Sequence, residues 1–117
     1  MSIVILKQRS DFLRLKESKK KFFTEAAVIV FDKSPEVKFI GIRLAFIVTK
    51  KIGNAVHRNR ARRRLRAAVR MAYNLMAIKD LDIIFIARKN ALTVKFSDMV
   101  SSFVEVLQKL QLQSNNE

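Results

Sequence analysis

The strongest candidate for chemistry in this sequence is a run of cations between Lys50 and Arg70. Nine of these 21 residues are Lys or Arg and none is Asp or Glu, in a chain whose 24 basic and 10 acidic residues give a net charge of +14. Seven of the nine are arginine, whose planar guanidinium binds phosphate through two parallel hydrogen bonds and also stacks on bases. The pattern therefore predicts a surface for a polyanion, and for nucleic acid rather than lipid headgroups.

The start of this run predicts an anion site at the N-terminus of a helix. Lys50 and Lys51 are followed by a Gly53-Asn54 turn, which brings two ammonium groups together with exposed backbone N–H groups. Asn59 lies within the arginine-rich stretch that follows. Its side chain could read a base edge or orient a hydrated ion, although a lone asparagine is more often a neutral surface residue.

The acidic residues and the single histidine form no pattern that could carry catalysis. Metal-dependent nucleases need carboxylates that converge on Mg²⁺, and the acids here are scattered, with Asp80 and Asp82 as the one close pair. We interpret that pair as capping or solvating the turn before a strand, and His57 as an exposed residue of the basic turn. The chain has no cysteine. We therefore expect it to have neither a catalytic residue nor a metal site of its own.

A long helix must present the cations. From Val56 to about Met76 the apolar residues recur at roughly 100° per residue, which predicts one narrow buried stripe with arginine around the remaining circumference. The stripe consists of Ala61, Leu65, Ala68, Val69, Ala72 and Met76. So narrow and alanine-rich a stripe, in a chain without tryptophan, argues against a membrane-surface helix. No apolar run approaches the roughly 18 residues of a membrane span, so we expect a soluble, cytoplasmic protein.

Shorter elements frame the basic helix. Strands are predicted at residues 27–31, 39–49 and 82–87, with a loop at 32–36. Ser10 is predicted to cap a short first helix, and Ser97-Asp98 a last one. We expect the 39–49 segment to supply one or two antiparallel partners of the 27–31 strand.

This order of elements predicts an α+β fold in which helices pack on a small sheet as an α-β sandwich. We expect a single domain over residues 1–117, with residues 114–117 as a frayed polar tail. The basic helix would then lie in a strand-helix-strand crossover, and such crossovers are right-handed by the general rule.

Residues 50–66, KKIGNAVHRNRARRRLR, resemble the Arg-Asn-Arg signature of the bacterial ribonuclease P protein subunit family. The similarity extends to both sides of the signature. Residues 6–12, LKQRSDF, resemble the family's N-terminal segment, and residues 84–89, IFIARK, resemble its last strand and the following loop. The resemblance therefore covers nearly the whole chain in the family's order and spacing.

The resemblance implies a function that composition alone does not. In this family a large RNA is the catalyst, in a holoenzyme that uses Mg²⁺, and the protein helps it to remove the 5′ leader from precursor tRNA. The implied partners are the catalytic RNA and precursor tRNA, with no membrane and no obligatory protein partner. The implied fold is an α+β sandwich whose crossover is left-handed, and we adopt that expectation in place of the general rule.

The resemblance also assigns residues to the two RNA partners. The catalytic RNA is expected to contact the signature helix and its preceding turn at Lys50, Lys51, Gly53, Asn54, Arg58, Asn59, Arg60 and Arg63. The single-stranded leader is expected to lie in a cleft between one sheet face, the first helix and the basic helix. The residues implied to line that cleft are Phe12, Lys16, Val28, Val30, Arg62 and Arg66.

The chain departs from the family pattern at three positions. Lys16 and Val30 stand where the family often has aromatic residues. Because stacking is worth about 1–3 kcal/mol per base, we expect this cleft to hold its leader more by charge and less by stacking. Phe22 or Phe23 could compensate, although each would more often belong to the core. Ala45 replaces a frequent glycine, which we expect to leave the fold unchanged.

Two other classes of function fit the composition. A structural RNA-binding protein of the ribosomal type would be equally basic, and only the signature helix separates it from the ribonuclease P interpretation. A DNA-binding regulator would need a helix-turn-helix or a dimer element, and neither is recognisable here.

Overall fold

In this computed structural model the described part of the chain forms one mixed sheet with helices on both sides. The structure describes residues 2–6, 8–35, 41–74, 78 and 80–115. The strands are β1 (Ser2–Ile5), β2 (Lys21–Phe23), β3 (Ala27–Lys33), β4 (Gly41–Ile47) and β5 (Leu81–Ala87), in the spatial order β1-β4-β5-β3-β2. The helices are α1 (Arg9–Lys16), α2 (Ala55–Tyr73) and α3 (Phe96–Asn115), and short 3-10 turns lie at Lys50–Ile52 and Lys89–Leu92. The predicted α+β sandwich is confirmed.

The two faces of the sheet pack against different helices. Leu44 of β4 belongs to the main core together with Leu65 of α2. Its chain neighbour Ala45 points the other way and packs with Ile84 and with Leu15 of α1 in a smaller cluster, because successive side chains of a strand alternate between faces. We call these the α2–α3 face and the α1 face.

The basic helix lies in the connection between two parallel strands. β4 and β5 pair in parallel from Ile42↔Leu81 to Ile47↔Ile86, and α2 lies between them in the chain. β5 in turn pairs antiparallel with β3. The expectation that the 39–49 segment pairs with the 27–31 strand is therefore wrong, because β5 lies between the two. The handedness of the crossover stays a prediction.

The cap and the buried stripe of α2 are as predicted. The side-chain Oδ1 of Asn54 accepts a hydrogen bond from the backbone N–H of His57 at 3.0 Å, which is the geometry of an N-cap. Five members of the predicted stripe are buried: Ala61, Leu65, Ala68, Val69 and Ala72. Met76 lies outside the described residues. Among the described helices, none is long and apolar enough to cross a membrane.

Several element boundaries differ from the sequence prediction. α1 begins at Arg9, with Gln8 as an N-cap that makes no side-chain bond, so Ser10 is not its cap. β3 continues through Asp32 and Lys33, which were expected in a loop, because both residues pair with β5. The rest of that loop, beyond Pro35, lies outside the described residues, as does the start of the 39–49 segment.

The last helix is longer than predicted at both ends. α3 begins at Phe96, and the backbone N–H of Met99 donates to the carbonyl of Lys95 at 3.0 Å, so Ser97-Asp98 lies inside the first turn. The helix ends at Asn115, so half of the predicted frayed tail is helical. Residues 116–117 lie outside the described residues. β1 and β2, both short edge strands, were not predicted.

Candidate nucleic-acid interface

The turn before α2 needs glycine at its centre. Gly53 has φ +140°, and a Cβ added there would lie 3.0 Å from Nδ1 of His57. Only a residue without a side chain accepts this backbone and this approach of the imidazole. The turn sets the exposed Lys50 and Lys51 immediately before the N-terminus of α2. The geometry brings together the cations and backbone donors that the sequence predicted for an anion site.

The exposed side of α2 carries an open basic concavity of about 490 Å³. Arg62, Arg63 and Arg66 line it together with Val56 and Asn59. Nη1 of Arg62 donates to Oδ1 of Asn59 at 3.4 Å, so the asparagine orients a guanidinium within its own helix. The concavity can accept several phosphates of one strand because its cations are already gathered on a single face.

Arg64 differs from the other arginines of α2 because it has a structural role. Its Nη1 donates to the carbonyl of Ala91 at 2.7 Å, and its Nη2 donates to the carbonyl of Val94. Burial and, second, the charge of Arg60 lower the pKa of Arg64. This side chain therefore ties α2 to the segment before α3, and its hydrogen bonds are used within the protein.

One end of the α1 face holds a buried ion network. Arg43 of β4 donates two hydrogen bonds to the carboxylate of Asp82 of β5, from Nε at 2.8 Å and from Nη2 at 2.7 Å. Arg14 of α1 donates to the same carboxylate, and Asp11 of α1 lies 3.3 Å from Arg43 Nη2. Asp32 of β3 completes the network, 4.0 Å from Arg14. These bonds attach α1 to three strands.

The interpretation of Asp82 as a solvated turn residue is wrong. Its side chain is fully buried in the ion network, because the strand register pairs Asp82 with Arg43 of β4 and with Asp32 of β3 on the α1 face. Asp80 does lie in the turn, with φ +57° and a carbonyl that accepts from the N–H of Ser34 at 2.6 Å. Among the described residues, no group of three or more His, Asp or Glu could hold a metal ion.

The middle of the α1 face contains an apolar groove of about 220 Å³. Its walls come from α1 and from the adjacent strands, and its lining residues are Phe12, Leu13, Leu15, Lys16, Lys21, Val30, Ile47, Ile84 and Ile86. The two lysines add cations to an otherwise apolar surface. An apolar groove with a cationic rim suits a chain of bases joined by phosphates.

The strand register divides the α1 face into three rows. The closed row consists of Arg43, Asp82 and Asp32; the middle row of Ala45, Ile84, Val30 and Lys21; and the open row of Ile47, Ile86, Val28 and Phe23. The ion network attaches α1 above the closed row, and Leu15 covers the middle row. The open row lies where β4 runs toward Lys50 and β5 runs into Arg88.

The residues implied to bind the leader fall into two groups. Phe12, Lys16 and Val30 line the apolar groove, and Val28 lies on the same face in the open row. Arg62 and Arg66 do not line this groove, because α2 packs on the opposite face of the sheet, and they line the basic concavity instead. The expected single cleft is thus two surfaces, and the roles of all these residues stay predictions.

Sequence reasoning missed the ion network and the orientation of Phe23. Arg43, Asp82 and Asp32 are each two residues from an apolar position of the same face, so a period of two was the available signal. A period of two within one strand does not show how that strand is aligned with its neighbours, and this alignment decides whether the three charged side chains meet. The sequence does not distinguish Phe22 from Phe23, whereas the structure does, since Phe22 stacks on Phe31 in the core and Phe23 is exposed.

Comparisons with known proteins agree on one family. The family model for Ribonuclease P matches residues 3–111. The Ribonuclease P protein component of Paramagnetospirillum magneticum is 35% identical over 109 residues, which are 90% of this chain and 80% of that protein. A relative of the same name in Gluconacetobacter diazotrophicus is 34% identical over 108 residues, covering 89% of this chain and 88% of that one.

Two solved structures have the same fold. The RNase P protein from Thermotoga maritima superposes with a TM-score of 0.74 at 28% identity, covering 89% of this chain and 94% of that one. The Staphylococcus aureus RNase P protein gives a TM-score of 0.70 at 28% identity, covering 90% and 92%. The family model, the relatives and the shared fold therefore establish that this chain belongs to the Ribonuclease P protein component family.

Proposed function

We propose that this chain is the protein subunit of a ribonuclease P ribonucleoprotein, which removes the 5′ leader of precursor tRNA by endonucleolytic cleavage. The observation that carries the proposal is the presence of two unlike surfaces on one small domain. The basic concavity and the turn before α2 gather cations, with three arginines and no acid among the residues that line the concavity. The groove of the α1 face offers apolar area with few cations.

The two surfaces suit two kinds of RNA. A folded RNA presents mainly phosphates, which guanidinium and ammonium groups bind. We therefore assign the catalytic RNA to Lys50 and Lys51 and to Arg58, Arg60 and Arg63 of α2. A single strand exposes its bases, which stack on aromatic and apolar side chains while cations bind the backbone. We therefore assign the leader to the groove beside Phe12 and Lys16, with Arg62 and Arg66 as phosphate contacts.

Within the proposal the protein positions RNA and the catalytic RNA performs the cleavage. The holoenzyme's Mg²⁺ would activate the attacking water and stabilise the leaving oxygen. The described residues do not fit a site for that ion, because the buried carboxylates Asp11 and Asp82 are bonded to arginine. We therefore expect the protein alone to cleave no RNA. Its cations would instead reduce the Mg²⁺ that the RNA requires.

Reconstitution tests the proposal. The protein is added to a bacterial ribonuclease P RNA at low Mg²⁺, and cleavage of precursor tRNA is followed with and without it. We expect cleavage to be stimulated by the wild-type protein, and less by a variant that combines Arg58→Ala with Arg63→Ala. The matched control is Lys109→Ala, which removes an exposed cation from α3. A structural RNA-binding protein of the ribosomal type would bind RNA without stimulating cleavage, and that result would reject the proposal.

A further inference from the structure

Phe23 is an exposed aromatic residue on the α1 face. It is 69% exposed, whereas its neighbour Phe22 is half-buried and stacks on Phe31 with 5.4 Å between ring centroids. Because successive strand residues point to opposite faces, the packing of Phe22 in the main core directs Phe23 to the α1 face. The exposure of Phe23 therefore follows from the register of β2 and is not a consequence of fraying.

The register also joins Phe23 to the apolar groove. Lys21, two residues earlier on β2, lines the groove beside Val30. Phe23 lies about 7 Å further along the same face, paired with Val28, which is in turn paired with Ile86 of the groove floor. The open row thus continues the apolar floor outward to an aromatic ring on the edge strand.

A guanidinium is bonded to the backbone of the residue that follows Phe23. Nη1 of Arg88 donates to the carbonyl of Thr24, the residue after Phe23, at 3.0 Å. Lys89 and Asn90 line the adjoining concavity together with Arg88, and Glu25 contributes the one acid among its lining residues. A nucleotide base on the ring of Phe23 would therefore have cations within reach of its phosphate. With two cations and one acid among its lining residues, the concavity favours a negatively charged partner over a purely apolar one.

We infer that Phe23 is a stacking platform for an unpaired base of the precursor-tRNA leader, with Arg88 beside it for the neighbouring phosphate. The inference rests on the proposed function and extends the leader site from the groove to the edge strand β2. Phe12 is the one aromatic residue among those that line the groove. Phe23 gives this face its second aromatic surface, and every base can stack on such a surface whatever the sequence.

The absence of tryptophan from the chain permits a direct test. In Phe23→Trp the single indole reports stacking by loss of its fluorescence. We expect quenching when the reconstituted holoenzyme binds precursor tRNA, and none with mature tRNA, which lacks the leader. The matched control is Leu112→Trp, which places the indole at another exposed apolar position, 64% exposed on α3. Its fluorescence should be the same with both RNAs.

Affinity gives the second readout. Phe23→Ala should weaken holoenzyme binding to precursor tRNA about 5- to 150-fold, the range for one lost stacked base, without weakening binding to mature tRNA. Phe23→Tyr should restore affinity because it retains the ring, whereas Phe23→Leu, apolar but not aromatic, should not. The melting temperature of Phe23→Ala should match the wild type because the side chain packs little in the folded protein.

The outcomes separate this inference from the function on which it rests. Equal quenching by precursor and mature tRNA would overturn the assignment to the leader. A second outcome concerns Phe23 alone. If the wild-type protein stimulates cleavage and Phe12→Ala weakens binding of precursor tRNA, but Phe23→Ala binds it as tightly as the wild type does, the role of Phe23 is overturned and the proposed function stays intact. A wild-type protein that does not stimulate cleavage would reject the proposed function, and this inference with it.

Discussion

The closed and open rows of the α1 face both cross β4, β5 and β3, and the open row continues to Phe23 on the edge strand β2, but the two rows differ in charge and in exposure. In the closed row the carboxylate of Asp82 is fully buried and bonded to two arginines. In the open row apolar side chains end at Phe23, which is 69% exposed. The closed end uses charge to attach α1 to the sheet, and the open end leaves apolar surface exposed where β4 runs toward Lys50 and β5 runs into Arg88.

The difference shows how so basic a chain can fold and still offer cations to RNA. Three of its ten acids, Asp11, Asp32 and Asp82, lie in the closed row or directly above it. They neutralise Arg14 and Arg43, the two arginines that attach α1 to the sheet. On α2, by contrast, the 19 residues contain no acid, so its guanidinium groups meet no competing carboxylate on their own helix. Acids support the fold in the closed row and are absent from α2.

The largest expected effect lies in the closed row. Asp82→Ala leaves the largely buried Arg43 and the half-buried Arg14 without their shared carboxylate, and removing one partner of a buried pair typically costs about 3–5 kcal/mol. We expect a loss of that size in the free energy of unfolding, measured by urea denaturation. Glu105→Ala, which breaks the exposed pair with Lys109 on α3, is the control and should change stability by less than about 0.5 kcal/mol. Equal effects of the two changes would contradict a structural role for the closed row.

A smaller effect is expected where the groove meets α1. Phe12 lines the groove and is half-buried against the smaller cluster. Phe12→Ala should weaken holoenzyme binding to precursor tRNA by about 1–3 kcal/mol, the value of one stacked base, and leave mature tRNA unaffected. Affinity measured with both RNAs, together with the melting temperature of the variant, separates a binding role from a core role. A large loss of stability with equal weakening toward both RNAs would assign Phe12 to the core.

The cap of α2 is expected to contribute about 1 kcal/mol. Asn54→Ala removes the acceptor for the N–H of His57, and loss of such a cap costs about 0.5–2 kcal/mol. Thermal unfolding should show that loss. Asn54→Asp, which keeps an acceptor and adds a charge favourable to the helix N-terminus, should retain stability but weaken RNA binding, since the added carboxylate repels phosphate. If Asn54→Asp binds RNA as the wild type does, the anion site lies elsewhere.

The smallest expected effect concerns salt. Arg63→Ala should remove one phosphate contact, so the slope of log K against log salt for the catalytic RNA should become shallower by about 0.7–1. Over a fourfold rise in salt this is a difference of roughly 0.6–0.8 kcal/mol. Titrations at several salt concentrations measure the slope. The control is Arg64→Ala, which removes an arginine of the same helix whose hydrogen bonds go to backbone carbonyls. This variant should lose stability, while the slope of log K against log salt stays unchanged.

The elements that periodicity defines were predictable, and their neighbours in space were not. The buried stripe of α2 and the cap at Asn54 follow from spacing within one helix. The insertion of β5 between β3 and β4 depends on pairing between distant segments, so the antiparallel pairing expected for β4 failed. The site shows the same division between local and long-range information. The basic surface of α2 was predictable from its residue types, but the separation of that surface from the groove depends on which face of the sheet each helix covers.

The sequence by itself determined that the chain has a basic helix with a narrow apolar stripe, because charge and helical period are local properties. It also contains, at residues 50–66, the signature that resembles the ribonuclease P protein subunit family. Only the tertiary structure decided that Asp82 is a buried ion-pair partner, that Arg64 bonds to backbone, and that Phe23 and not Phe22 is exposed. Each of these depends on strand register or helix docking, and a shift of one residue in register would reverse which side chains face the core.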